Sequence, residues 1–202
     1  MDKRITHQES LQIINEMISE ARNKFSAGNA KSIIFMGYTV IAVSLLNIIL
    51  LYTLSNPANS FFVWFLMMPA SLINHLYIKK NISVVATHIS KVISAIWTAY
   101  LISIITLLGT LFAIIFILED WQLTAYIMPM ILCLTALGLY ATGVACKFKP
   151  YETGAIFFWL GALGCVALLF TPYYAFMQFV ILIVCMLLGF IAPSMKLKKT
   201  VI

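Results

Sequence analysis

Six stretches of this chain run for 18 to 27 residues without a single charged side chain. An α-helix rises about 1.5 Å per residue, so roughly 20 apolar residues cross the ~30 Å hydrocarbon core of a bilayer. In lipid the backbone must satisfy its own hydrogen bonds, which leaves helices as the natural spanning form for such runs. The spans read as Ile33–Leu54, Phe61–Ile78, Val92–Leu118, Leu123–Cys146, Thr153–Phe170 and Tyr173–Ala192. Short turns at 55–60, 119–122 and 171–172 join them in pairs. The expected fold is therefore an all-α membrane protein of six transmembrane helices in three antiparallel hairpins. Composition agrees: 62% of residues are hydrophobic and 10% charged, against about 45–50% and about a quarter in soluble domains.

The charges orient the spans. All 13 lysines and arginines fall in the N-terminal segment, the 79–91 loop, the 147–152 loop or the C-terminal tail. The three opposite turns hold none and carry Glu119 and Asp120. The excess of basic residues on the cytoplasmic side of membrane proteins places both termini there. Removing one span would send later basic clusters to the other side. The expected location is a cell inner membrane, multi-pass. Without a charge-free segment at its start, the chain shows no signal-peptide pattern, and the first span reads as the insertion signal. Trp121, Tyr126, Tyr173 and Tyr174 beside the outer turns, and Tyr77 and Tyr151 beside the inner loops, read as interfacial anchors.

Residues 1–31 form a cytoplasmic N-terminal segment, 32–193 the transmembrane domain and 194–202 a basic cytoplasmic tail. Residues 6–25 carry Leu11, Ile14, Met17, Ile18 and Phe25 at helical spacing, after a Thr6-His7-Gln8-Glu9 capping box. The segment predicts a cytoplasmic amphipathic helix. Ile82, Val85, Ile89, Val92 and Ile93 continue a helical stripe below the third span, so that helix is expected to start near Ile82 and project from the bilayer.

No Asp, Glu, Lys or Arg lies within a span, whereas ion-coupled carriers normally keep such groups near the midplane. His7, His75 and His88 have no metal-binding spacing, and the four cysteines form no CxxC pair. Nucleophile-elbow, phosphate-loop and dinucleotide glycine patterns are absent. No enzyme, catalytic residue, metal or cofactor is expected. The net charge of +6 reflects span ends rather than a nucleic-acid surface. The candidate intramembrane positions are Asn47, Pro69, Asn74, His75 and Pro129, with Gln178 a shallower polar residue near the outer end of the sixth span. Asn47 reads first as an interhelical hydrogen-bonding amide, and the two prolines as kinks. Gly138 and Thr142 in the fourth span, and Gly161 and Gly164 in the fifth, are candidate helix-packing positions.

Glu9-Ser10-Leu11 through Met17-Ile18, Gly37-Tyr38, and Lys147-Phe148-Lys149-Pro150 leading to Gly154 and Trp159 give the chain a further likeness. It resembles an uncharacterised family of small six-span bacterial inner-membrane proteins. The resemblance implies that architecture over nearly the whole chain and brings no activity with it. The functional expectation is an integral membrane protein that works through its cytoplasmic face on a protein partner or lipid, with a homo-oligomer as a further form. The alternative is a small transporter or pore for a neutral or apolar solute, in which Asn47, Pro69, Asn74 and Pro129 would converge on one cavity.

Overall fold

The computed structural model describes residues 31–79 and 88–200. The expected amphipathic helix at 6–25 and the stripe at 82–87 lie outside the described residues. Those described are helical almost throughout, with no strand among them. Four helices are long and apolar enough to cross a membrane: Lys31–Thr53, Lys91–Leu118, Trp121–Cys146 and Tyr174–Lys196. These correspond to the first, third, fourth and sixth expected spans.

The first helix, α1 (Lys31–Thr53), ends in a bend at 54–56. The second expected span is three joined pieces rather than one regular helix. A 3-10 segment runs Pro57–Leu66, α2 covers Met67–Ile73, and a π segment covers Asn74–Lys79. Pro69 lies in the first turn of α2, where a missing N–H is tolerated, and the chain tightens before it and widens after it.

Helix α3 (His88–Leu118) is the longest, at 31 residues. Glu119 then takes a left-handed backbone (φ 54°). The Asp120 side chain accepts a hydrogen bond from the Gln122 N–H at 3.0 Å and caps the next helix. That helix opens as a 3-10 turn (Trp121–Tyr126) and becomes α4 (Ile127–Cys146). A tight corner at Lys147-Phe148 leads to α5 (Lys149–Ala167), which has Pro150 in its first turn. At 19 residues α5 is long enough to span, but Lys149 and Glu152 in its first turn leave it less apolar than the four spans. Finally α6 (Tyr174–Cys185) passes through a π segment (Met186–Ile191) into α7 (Ala192–Thr200).

The sequence places the end of the sixth span at Ala192, just before Pro193, but the helix runs on through the proline. A proline clashes with the carbonyl four residues earlier and gives it no N–H. Here that carbonyl belongs to Gly189, inside the π segment, whose wider turns relieve the clash.

The core lies where α4, α5, α6 and the last π segment meet. Leu132, Leu139, Phe158, Cys165, Phe179 and Met186 are buried there. The α4–α5 contact is the most extensive of any pair. Helix α1 packs on this core through Ile33, Val40, Ile41 and Ile48, and α3 through Trp97. The Trp97 ring meets Phe190 edge-on at 6.1 Å.

Close helix approach explains several of the glycines. None of the described glycines has positive φ. A Cβ built on Gly154 would overlap the Gly189 carbonyl oxygen, and one on Gly189 would lie 2.7 Å from the Gly154 carbonyl oxygen. The two backbones touch where α5 crosses the π segment, a contact open only to glycine.

Candidate functional site

Every polar group placed at depth in a bilayer needs a partner, because hydrocarbon offers none.

Asn47 is fully buried on α1. Its Nδ2 donates to the Ser60 carbonyl at 3.0 Å, and the Ser60 hydroxyl donates back to Asn47 Oδ1 at 3.4 Å. This reciprocal tie fastens α1 to the 3-10 segment. Ser60, which is also fully buried, had no sequence signal beyond lying in a turn.

Pro129 is buried in α4 and has no N–H for the Ala125 carbonyl four residues before it. Gln178, from α6, supplies one: its Nε2 donates to Ala125 O at 2.9 Å. The two polar oddities of the fourth and sixth spans are thus halves of one interaction. Nothing in the sequence connects them, since they lie 49 positions apart.

Pro69 and His75 are exposed on the surface of the second helical stretch. His75 borders an open, shallow depression with Met67, Met68, Ser71 and Leu72. Asn74 is buried beside it, and its Oδ1 is the one buried side-chain polar atom without a hydrogen-bond partner among the described residues. Asn47 and Pro129 each have their own partner, and Pro69 faces outward. The structure does not bring these positions together around one another.

The packing glycines divide by neighbour. Gly138 is in ordinary contact with the Tyr100 ring of α3, and Thr142 donates to the Gly138 carbonyl at 2.7 Å. Gly161 faces Cys185 and Ile181 of α6, and Gly164 faces Ile181 at 3.5 Å. The α4–α5 approach itself rests on Gly143, where a Cβ would lie 3.0 Å from the Glu152 backbone nitrogen. Between α3 and α4, the Tyr100 and Thr135 hydroxyls hydrogen-bond at 3.0 Å.

A second polar cluster sits at the α4–α5 corner. Lys147 caps α4 in a left-handed conformation (φ 53°). The Phe148 N–H bonds back to Gly143 O at 2.8 Å, a Schellman closure with lysine where glycine is usual. Tyr151, read from sequence as an interfacial anchor, is instead 1% exposed. Its hydroxyl meets Ser194 Oγ at 3.1 Å, and Ser194 donates to the Phe190 carbonyl at 2.6 Å. Tyr151 therefore donates to Ser194, clasping the start of α5 to the start of α7. Lys147, Lys149 and Lys196 are exposed around this clasp.

Among the described residues no cluster of three or more His, Cys, Asp or Glu side chains is arranged to hold a metal ion. No protein-family model matches the chain, and no curated protein or solved structure matches it.

Proposed function

We propose that this chain is a six-span inner-membrane protein with both termini in the cytoplasm, acting through its cytoplasmic face on a protein partner or lipid rather than by catalysis. The observation that carries the reading is the distribution of basic residues against the helices. Were only the four most apolar helices to cross, Lys79, Lys80, Lys147 and Lys149 would lie on the outer side and Glu119 and Asp120 on the inner. Such an arrangement runs against the charge bias of membrane proteins. Letting 57–79 and α5 cross as well returns every basic residue to one side. The stretch 57–79 is 23 residues of unbroken helical turns and α5 is 19, each enough for the hydrocarbon core.

The interior supports the second half of the reading. Asn47, Thr135, Gln178 and Ser194 spend polar groups on ties between elements, and Thr142 bonds back to its own helix. A solute pathway needs polar groups left over to line it, and Asn47, Pro69, Asn74 and Pro129 do not share a lining. The outer turns are short, so the broad basic side is the surface with room for recognition.

Impermeant thiol labelling tests the topology, with single cysteines placed at Ser55, Glu119, Lys80 and Lys147 in a variant lacking the four native ones. Ser55→Cys and Glu119→Cys should label in intact cells, and the other two only after permeabilisation. Labelling of Lys147→Cys from outside sinks the reading. Deletion of 6–25 should preserve insertion while changing what co-purifies; an unchanged set of partners and lipids counts against a working cytoplasmic face.

A further inference from the structure

The α4–α5 corner gathers positive charge at the ends of two helices. Lys147 and Lys149 are exposed, and neither forms an ion pair among the described residues. The Tyr151–Ser194 hydrogen bond lies two residues beyond Lys149 and two before Lys196, so it brings the third lysine to the same corner. Among the described residues the corner's carboxylate is Glu152, which is half-buried with its Cγ against Gly143. The corner is firm: a Schellman closure ends α4, Pro150 starts α5, and the Phe148 and Tyr151 rings pack edge-on at 5.1 Å.

Below this charge the surface turns apolar. Tyr140 and Val144 repeat at four-residue spacing and so share one face of α4, which ends at Lys147. Val144 is 52% exposed and Tyr140 42%. The Tyr140 ring meets Trp159 of α5 at 5.7 Å, forming an aromatic floor across the α4–α5 seam. A cationic rim at the helix ends, with an open apolar seam running from it toward the membrane centre, matches the shape and polarity of one molecule class.

We infer that this corner seats an anionic phospholipid of the surrounding leaflet, its phosphate among Lys147, Lys149 and Lys196 and an acyl chain along Val144, Tyr140 and Trp159. Charge complementarity selects the anionic headgroup. The apolar seam selects a lipid over a free anion. The inference rests on the proposed function above and names its lipid partner.

The test uses the purified full-length protein in a mild detergent, with bound lipid counted by native mass spectrometry. Phosphatidylglycerol should bind about tenfold or more tightly than phosphatidylcholine with the same chains. Lys147→Gln/Lys149→Gln should lose that preference by roughly tenfold to thirtyfold, and Lys147→Arg/Lys149→Arg should keep it. Circular dichroism checks that the glutamine variant is folded; if it is not, Lys196→Gln alone should weaken the preference about threefold to fivefold. Equal binding of the two lipids, or a folded glutamine variant with undiminished preference, overturns the inference. So does displacement by soluble glycerophosphoglycerol at equal concentration, which would make the ligand a free anion. Failure here with Lys147→Cys still labelled only from the cytoplasm leaves the topology standing. Labelling of Lys147→Cys from outside, with the lipid preference intact in detergent, removes the topology and keeps the lipid seat.

Discussion

The two halves of this chain meet the same solvent in opposite ways. The α3 span is the most apolar of the four, with mean hydropathy 2.8, and only 6% of it is buried by the protein. The helix Trp121–Cys146 is the least apolar, at 1.8, and 44% of it is buried. In water the order would be reversed, because burial there follows hydrophobicity. In a bilayer the lipid tails satisfy apolar side chains as well as a protein core does. The interior goes instead to residues that allow contact or hydrogen bonding: Gly138, Thr142 and Gly143 in α4, Gly154 and Gly161 in α5, Gln178 in α6. The α4–α6 half is held by backbone approach and by amide and hydroxyl ties. The α1–α3 half surrounds it with bulk.

The largest test of that contrast sets two glycines against each other. Gly154→Ala should destabilise the protein by about 1–3 kcal/mol or more, because the obstructing atom is the Gly189 backbone carbonyl and cannot rotate away. Gly109→Ala in α3 has nothing within 4 Å of the new methyl. It should be neutral or stabilising by up to about 1 kcal/mol, through helix propensity alone. Unfolding in mixed micelles read by circular dichroism checks both. Equal effects at the two sites would show that the α5–π crossing is not the tight point of the fold.

Next in size is the Gln178–Pro129 pair. Gln178→Leu leaves the Ala125 carbonyl without its donor and should cost about 1–2 kcal/mol. Pro129→Ala restores an N–H for that carbonyl. In a Pro129→Ala background, therefore, Gln178→Leu should cost less than half as much. The double-mutant cycle reads the coupling directly. Additive losses would mean that Gln178 stabilises by some other contact.

Much of this architecture was legible in the sequence. Apolar runs without charge give the membrane helices, because a bilayer penalises a single lysine more than a soluble core penalises several polar groups. The turn at Glu119-Asp120 was visible for the same reason. The second span was not readable as three helical types, since a hydropathy count does not register the tightening before Pro69 or the widening after Ile73. Pro193 misled, because proline ends a helix only when the turn before it stays α-helical. The small residues of α4 and α5 point to contact between those two helices, which is present, but Gly138 faces α3 instead, and nothing in the sequence pairs Gly189 with Gly154. Tyr151 and Ser194 are ordinary as single residues. Only the fold, which brings positions 43 apart to 3.1 Å, makes them a clasp.

Two buried asparagines carry the comparison into the α1–α2 side. Asn47 and Asn74 are both enclosed, at 0% and 8% exposure. Asn47→Leu breaks a two-way tie and leaves Ser60 unpaired. It should cost roughly 0.6–1.7 kcal/mol, between the mean and the largest value found for interhelical hydrogen bonds in a membrane protein.

Asn74→Leu is the smallest effect and has the opposite sign. Among the described residues the Asn74 Oδ1 is buried without a partner, so the asparagine already bears the cost of a desolvated acceptor. A leucine of nearly the same volume removes that acceptor and breaks no bond at the oxygen. The variant should be neutral or more stable by up to about 1 kcal/mol. The same micelle unfolding that reads Asn47→Leu decides it. A loss as large as the one at Asn47 would show that Asn74 is held by a donor, and the tie between helices would then extend to the C-terminal end of the second stretch as well as its N-terminal end.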